Sequence, residues 1–354
     1  MSDPQDTAPF PWPRLALALA IGAAGGLFFV AIRAPLPWML GAMVFTTAAA
    51  LAGAPLAMHK PLRQVFGAIL GVMLGSAFTP QLAGQLPAWG FIALISLFAA
   101  GVAGFFGYWI FRTLGRLGPD AAFLAAMPGG INEAAIIAED TGVDPRPVML
   151  AHAIRILIVI LLLAPLFRIF FDAGPSNGGP AFLPAGELTL REAGVLVACA
   201  VIGFPLARLL KLPAPVFVGP MVLSAAAHMT GLSHAAPPGW LIALSQVVLG
   251  AGLGARFSNL GGHGLIRPAA TSVLVASLMA AVSAAAAAGA ALVLSLSIPS
   301  AILGFAPGGV TEMSLIALAI GADPAFVSAL HIIRIGAVII IAPKLFFAMR
   351  DKTT

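Results

Sequence analysis

The chain has 354 residues, of which 60% are apolar and only 9% carry a charge, whereas soluble domains are about 25% charged. This composition excludes an ordinary soluble enzyme and is typical of a protein that spans a bilayer. The formal net charge of +5 comes without a basic run containing interleaved aromatic residues, so we predict no nucleic-acid partner. A single cysteine, Cys199, excludes a disulfide framework, and we predict no metal site because the histidines show no ligand spacing.

Twelve apolar segments follow one another along the chain, and the first is predicted to be a retained helix because acidic residues and prolines precede it. The segments cover about 15–33, 36–53, 62–79, 87–111, 121–138, 147–171, 193–207, 213–231, 239–255, 268–297, 299–320 and 325–347. One long polar connection, rich in turn-forming residues, divides this series in the middle. The predicted organisation is therefore a first membrane repeat over 1–171, a linker over 172–191 and a second repeat over 192–354.

An internal duplication supports this division. Residues 128–156 and 307–335 are identical at 14 of 29 positions, where the composition gives about three by chance. Both copies begin with Pro-Gly-Gly, continue through Gly-x-Asp-Pro and end in His-x-x-Arg. Each half is therefore predicted to be one six-segment unit.

The basic residues indicate that the two units have opposite orientations. In the first half they follow segments two and four, whereas in the second half they follow segments seven and nine. Opposite orientation requires an odd number of crossings per unit, so one segment of each must enter and return. We assign this role to 121–138 and 299–320, because Pro-Gly-Gly interrupts both; the glycine-rich third segment of each unit is the alternative.

With this assignment and a cytoplasmic N-terminus, the basic residues follow the positive-inside rule. Thirteen of the 18 lie inside, three lie outside, and Arg155 and Arg334 lie within spans. The predicted fold class is an all-α integral membrane protein with two inverted repeats, about ten transmembrane helices and two re-entrant or broken segments. The predicted location is the bacterial inner membrane, with both termini in the cytoplasm. Glycines at four-residue spacing, Gly67, Gly71 and Gly75 with Gly250 and Gly254, predict close helix packing, with a role in gating as the alternative.

The two interruptions are the predicted binding site, because non-helical backbone at membrane depth survives where it lines a cavity. Asn132 and Thr311 are predicted N-caps, and Glu133 and Glu312 follow in the first helical turn. Free backbone N–H groups there suit an anion, and unwound carbonyls with carboxylates suit a cation. The predicted site residues are Gly129, Gly130, Asn132, Glu133, His152, Arg155, Gly308, Gly309, Thr311, Glu312, His331 and Arg334; Pro128, Pro307, Asp144 and Asp323 are predicted structural breaks or caps.

Two interpretations of the buried arginines stay open. In the first, each arginine forms an architectural ion pair with the glutamate of its own repeat, Glu133 with Arg155 or Glu312 with Arg334. In the second, the arginines hold an anionic solute while the glutamates exchange a proton or bind Na⁺. His152 and His331 share a helix face with the arginines, and each is either a satisfied interior side chain or part of a proton relay.

The two motifs resemble those of the AbrB family of bacterial membrane proteins, and the resemblance covers nearly the whole chain. This is not the soluble DNA-binding regulator that shares the name. The resemblance implies a duplicated membrane domain without a settled substrate, since members carry labels such as ammonia monooxygenase, regulator of gene expression and transporter. The halves differ where Glu139 and Asp140 face Leu318 and Ala319, so the two sites need not bind the same species.

The sequence thus predicts a secondary active transporter of a small organic anion, coupled to H⁺ or Na⁺ and working by alternating access. No cofactor other than the coupling ion is expected, and no Walker lysine motif for ATP is present. The expected partners are the solute and the bilayer, and homo-oligomerisation is left open. A channel or a membrane sensor that affects gene expression is the alternative. Monooxygenase activity is disfavoured because too few metal-ligating residues are available, so the chain is not expected to be an enzyme.

Overall fold

The computed structural model describes residues 10–34, 36–170, 188–259 and 265–350. Fourteen α-helices lie within these ranges, together with 3₁₀ turns over Pro80–Gln85 and Arg256–Asn259. The helices are α1 Trp12–Ala31, α2 Pro37–Leu51, α3 Lys60–Gly75, α4 Leu86–Thr113, α5 Pro119–Ala126, α6 Ile131–Asp140, α7 Pro145–Phe170, α8 Leu190–Leu209, α9 Pro215–Met229, α10 Gly239–Ala255, α11 Ile266–Leu294, α12 Ile298–Phe305, α13 Val310–Ala319 and α14 Pro324–Arg350.

The predicted all-α membrane fold is confirmed. Seven helices are long and apolar enough to cross a bilayer, and every predicted apolar segment corresponds to one helix or to a broken pair. The broken pairs are α5 with α6 and α12 with α13, which are interrupted at the two Pro-Gly-Gly sequences. Most of the predicted linker, 172–187, lies outside the described residues.

The helices of the two halves match in order and closely in length. The lengths of α1 to α7 are 20, 15, 16, 28, 8, 10 and 26 residues. Those of α8 to α14 are 20, 15, 17, 29, 8, 10 and 27 residues. A duplicated unit is expected to give such a series, and the inversion of one unit stays a prediction.

Contacts between helix ends define two opposite faces of the bundle. On the first face, the Leu56 N–H donates to Ser258 Oγ at 3.4 Å, and Arg267 Nε donates to the Leu114 carbonyl at 2.6 Å. These contacts join the ends of α2, α4 and α10 with the start of α11. The second face lies at the other end of α11, where α12 begins. Which face is cytoplasmic stays a prediction.

The broken segments enter and return on the face from which they started. Arg350, at the end of α14, lies 3.8 Å from Asp120 at the start of α5 and 3.4 Å from the Thr141 carbonyl after α6. Both ends of the α5–α6 pair therefore lie together on the first face. The Asp323 N–H, after α13, donates to Ser300 Oγ in α12 at 3.0 Å, so the α12–α13 pair begins and ends on the second face.

The helices pack into two bodies. The first body contains α1, α2, α3, α8, α9 and α10, and the second body contains α4 to α7 and α11 to α14. Packing is extensive within each body, whereas fewer contacts join the bodies, including those of α3 with α13 and α14. Each body takes helices from both halves of the chain, so 1–171 and 192–354 are not separate packing units.

Close helix packing is confirmed at four of the five predicted glycines, all within the first body. The prediction was wrong for Gly67, where a Cβ would lie at an ordinary 3.4 Å from Val216 Cγ1. A Cβ on Gly71 of α3 would overlap the Phe217 carbonyl of α9. At the corresponding place in the other half, a Cβ on Gly250 of α10 would meet the Met39 carbonyl of α2 at 2.5 Å. Small residues let the helix backbones approach this closely in a membrane, and they give the first body a tightly packed interior.

Candidate functional site

The two Pro-Gly-Gly breaks meet at one cavity of about 220 Å³. Its lining includes ten of the predicted site and break residues: Pro128, Gly129, Gly130, Arg155, Pro307, Gly308, Gly309, Thr311, Glu312 and Arg334. Ala214, Leu253 and Arg256 of the first body complete one wall, whereas most of the lining belongs to the second body. The cavity therefore lies between the two bodies. Nothing is described of the Asn132 and Glu133 side chains.

The second break shows how unwound backbone is placed at the cavity. α12 ends at Phe305, and α13 begins after Gly309, which has an extended backbone with φ −80° and ψ 151°. Both Pro-Gly-Gly sequences therefore lie between the end of one half-helix and the start of the next. The first-turn N–H groups of α13 have no partner within the helix, and together with its positive dipole end they suit an anion.

The predicted N-caps Asn132 and Thr311 were wrong. Gly130 and Gly309 are the N-caps, and neither helix start has a side-chain cap hydrogen bond. The reason is visible at Gly309, because Glu312 Oε2 occupies the space that a Cβ at this position would need. Glu312 is the third helical residue and folds back over the helix start, the place that a capping-box glutamate takes.

The two buried arginines donate to backbone carbonyls at the two breaks. Arg155 donates to the Met127 carbonyl at 2.8 Å and to the Gly129 carbonyl at 2.9 Å. Arg334 donates to the Phe305 carbonyl at 3.1 Å and to the Gly308 carbonyl at 3.4 Å.

The Met127 and Phe305 carbonyls lie where α5 and α12 end and are left without helical partners, and a cation is favourable at this negative end of a helix dipole. The Gly129 and Gly308 carbonyls lie in the unwound backbone between the half-helices. The architectural Glu312–Arg334 ion pair is therefore wrong, since the described residues hold no such pair within 4.0 Å. The Glu133–Arg155 alternative rests on a side chain outside the described residues. In both arginines the buried Nε has no hydrogen-bond partner among the described residues.

The two predicted histidines lie behind the arginines and differ from each other. Arg334 lies 2.8 Å from His331 Nδ1, and because arginine is always a donor, Nδ1 must be the acceptor. His331 Nε2 then carries the proton and donates to the Leu303 carbonyl at 2.9 Å, so His331 is a neutral, satisfied interior side chain. His152 is equally buried, but its two ring nitrogens have no hydrogen-bond partner among the described residues.

Two further arginines lie at the cavity or near it, and both are among the thirteen basic residues predicted to lie on the cytoplasmic side. Arg256 lines the cavity, and Arg63 lies in electrostatic range of both Arg256 and Glu312. A signal was available in the repeat, because the equivalent positions of the other half are Ala77 and Ile242. A charged residue that occurs in only one half indicates that the two halves have different roles at that position.

The two Asp-Pro pairs lie away from the cavity at the starts of α7 and α14. Asp323 Oδ1 accepts hydrogen bonds from the Ala325 and Phe326 N–H groups at 2.9 and 3.0 Å, which is N-cap geometry. Asp144 accepts from the Arg146 N–H at 3.0 Å and pairs with its guanidinium at 2.8 Å. That guanidinium holds the pKa of the Asp144 carboxyl below its usual range.

Replacing Asp323 with Ala is expected to lower the free energy of unfolding by about 1 kcal/mol, the usual cost of losing an N-cap side chain. The Asp323→Asn variant keeps an acceptor oxygen and is expected to stay close to the native protein. Thermal unfolding of purified protein in detergent, followed by tryptophan fluorescence, measures both. Equal losses in the two variants would contradict the capping role.

Comparisons with known proteins identify one family and two full-length relatives. The family described as "Transition state regulatory protein AbrB" matches residues 38–350. The Bacillus subtilis (strain 168) protein "Uncharacterized protein YhjN" is 25% identical over 355 residues, covering 93% of this chain and 91% of that protein. The Escherichia coli (strain K12) protein "Putative regulator AbrB" is 24% identical over 337 residues, covering 94% and 93%. The similarity thus includes the cavity and both bodies.

Proposed function

The chain belongs to the AbrB family, and we propose that it is a secondary active transporter of a small organic anion. The observation that carries the proposal is the meeting of the two Pro-Gly-Gly breaks at one cavity between two helical bodies. Broken helices that present their ends to a solute near the middle of the membrane are a recurring device of secondary transporters. The two broken segments start from opposite faces, so relative movement of the bodies would expose the cavity to each side in turn.

The charge of the cavity favours an anion. Among the described lining residues, Arg155, Arg256 and Arg334 are cationic and Glu312 is the carboxylate. Charges taken out of water are costly unless they are paired, so a solute carrying a carboxylate or phosphate group would stabilise the loaded cavity. The helix start at Gly309 adds backbone N–H groups and a positive dipole end.

Glu312 is the proposed coupling group, taking up H⁺ or Na⁺ together with the anion, and Glu133 is its proposed counterpart in the first break. The transporter would work in the bacterial inner membrane with its termini in the cytoplasm. No catalytic role is proposed for any residue. A channel and a membrane sensor remain the alternatives; in the sensor case a transported solute would link the protein to gene expression, in keeping with the name of the Escherichia coli relative.

Reconstitution of the purified protein into liposomes tests the proposal. Uptake of labelled acetate, succinate and phosphate is measured under imposed H⁺ and Na⁺ gradients. We expect uptake of at least one of these anions to be driven by one of the gradients, and we expect the Glu312→Gln variant to lose this coupling. The Glu139→Gln variant is the matched control, because Glu139 lies exposed at the end of α6.

Three outcomes would count against the proposal. Flux that only follows the solute's own gradient would identify a channel. Coupled flux that is unchanged in Glu312→Gln would remove Glu312 from the coupling mechanism. Absence of flux for all three anions, with binding retained, would favour the sensor.

A further inference from the structure

Arg63 and Arg256 are two half-buried arginines of the first body that no described side chain neutralises directly. Within the described residues, neither donates a hydrogen bond and neither forms a salt bridge within 4.0 Å. Arg63 Cδ lies 3.5 Å from the place that a Cβ on Gly252 would take, one helical turn before Arg256 along α10. Arg256 itself lines the cavity. The two guanidinium groups therefore lie near each other on one side of the cavity.

The surroundings of this pair leave its charge incompletely balanced. The two cations repel each other, and Glu312 attracts both of them across the cavity. Glu312 is the one carboxylate among the described cavity-lining residues, and half-buried cations without a direct hydrogen bond are costly unless another anion joins them. Planar guanidinium groups match the oxygens of carboxylates and phosphates in geometry as well as charge.

The arginine pair lies between the first face and the two breaks, where a solute entering from that face would reach it first. Arg63 lies in the first turn of α3 and Arg256 follows the last residue of α10, and both of these helix ends belong to the first face. The pair thus lies between that face and the two breaks. Arg63 and Arg256 belong to the first body, whereas Glu312 is carried by the second body.

We propose that Arg63 and Arg256 form an oxyanion subsite at the first-face entrance of the cavity, for which Glu312 and the carboxylate or phosphate group of a solute compete. The proposed subsite is argued from the positions of Arg63, Arg256 and Glu312 around the cavity, whereas its use during transport rests on the proposed function. In the unloaded protein Glu312 attracts both arginines from across the cavity. The anionic group of the solute binds the two arginines when a proton or Na⁺ neutralises Glu312.

Competition of this kind links the two ligands. Among the described charged side chains, Arg63 from α3 and Arg256 after α10 attract Glu312, whereas Arg155 from α7 and Arg334 from α14 line the same cavity and donate to backbone carbonyls. A proton on Glu312 therefore removes the shared partner of Arg63 and Arg256 and raises their affinity for an external anion. Anion affinity must therefore rise as the pH falls through the titration of Glu312.

Anion binding to the purified full-length protein tests the subsite. Stabilisation against thermal unfolding is titrated with potassium succinate and potassium phosphate, against potassium chloride at equal ionic strength. Losing a hydrogen-bonded charged partner is expected to weaken anion binding about tenfold in Arg63→Gln and in Arg256→Gln. The Glu312→Gln variant is expected to bind the anion several-fold more tightly and to lose the pH dependence. The exposed residues Arg14 and Glu139 supply charge-matched controls, Arg14→Gln and Glu139→Gln, which should bind as the native protein does.

The outcomes are decisive in both directions. Tighter binding by Glu312→Gln cannot arise from misfolding, so it supports the competition even if an arginine variant is unstable. The subsite is overturned if neither anion gives saturable stabilisation, if both arginine variants bind normally, or if Glu312→Gln binds more weakly. Stabilisation by phosphatidylglycerol alone would assign the arginines to a lipid headgroup and also overturn it. If anions still compete with Glu312 but no coupled uptake occurs in liposomes, the proposed function is contradicted and the proposed subsite is not.

Discussion

Replacing Arg334 with Gln is expected to abolish uptake and to lower the free energy of unfolding by at least about 2 kcal/mol, since each buried acceptor left unpaired costs about 1–3 kcal/mol. Three acceptors lose their donor: the Phe305 carbonyl, the Gly308 carbonyl and His331 Nδ1. Removal of a buried cation offsets part of this loss. Thermal unfolding in detergent and liposome uptake measure the two effects.

Two variants control this experiment. Arg334→Lys keeps the charge, but a single ammonium group cannot reproduce a planar fork directed at three acceptors, so it should restore little stability. Arg155→Gln leaves only the Met127 and Gly129 carbonyls without a donor, so it should destabilise less than Arg334→Gln. A fully stable Arg334→Gln variant would show that the break does not depend on this side chain.

Most of the fold could be predicted because it depends on short, local sequence features. Each helix is an apolar run of readable length, and each break is a Pro-Gly-Gly sequence that removes a backbone donor and frees the backbone. The return of each broken segment followed from the alternation of basic residues, and the contacts Asp323–Ser300 and Arg350–Asp120 agree with it. The partition into two bodies could not be predicted, because it depends on which helices of different halves pack together.

Most residues of the site could be predicted from the sequence, whereas the hydrogen bonds that they form could not. Sequence reasoning took Arg334 as a partner of an acidic side chain or of a solute, whereas its nearest acceptors are backbone carbonyls. Backbone carbonyls become available as acceptors for Arg334 only where α12 ends, and the sequence motif does not show where that end lies. Arg63 and Arg256 were missed for a related reason, since a basic residue near a helix end is ordinarily a topology signal and only the folded chain places it beside Glu312.

The second large effect is expected where helix backbones touch in the first body. A Cβ on Gly41 of α2 would overlap the carbonyl of Gly25 in α1, and a Cβ on Gly219 of α9 would overlap the carbonyl of Gly203 in α8. Neither obstacle is a flexible side chain, so Gly41→Ala must push two helices apart. Overpacking costs about 1–3 kcal/mol even where side chains can give way, so Gly41→Ala and Gly219→Ala should each reach or exceed the upper end of this range.

Gly289 of α11 provides the matched control, because a Cβ there meets nothing within 4 Å. Since alanine favours helix over glycine by about 0.5–1 kcal/mol, Gly289→Ala should unfold at the same temperature as the native protein or slightly above it. The helix pairs that touch at Gly41 and Gly219 belong to the first body, whereas the arginine-capped breaks belong to the second. If the second body moves against a rigid first body, Gly41→Ala should impair stability and uptake together, whereas normal uptake by a destabilised Gly41→Ala protein would show that transport tolerates a loosened first body.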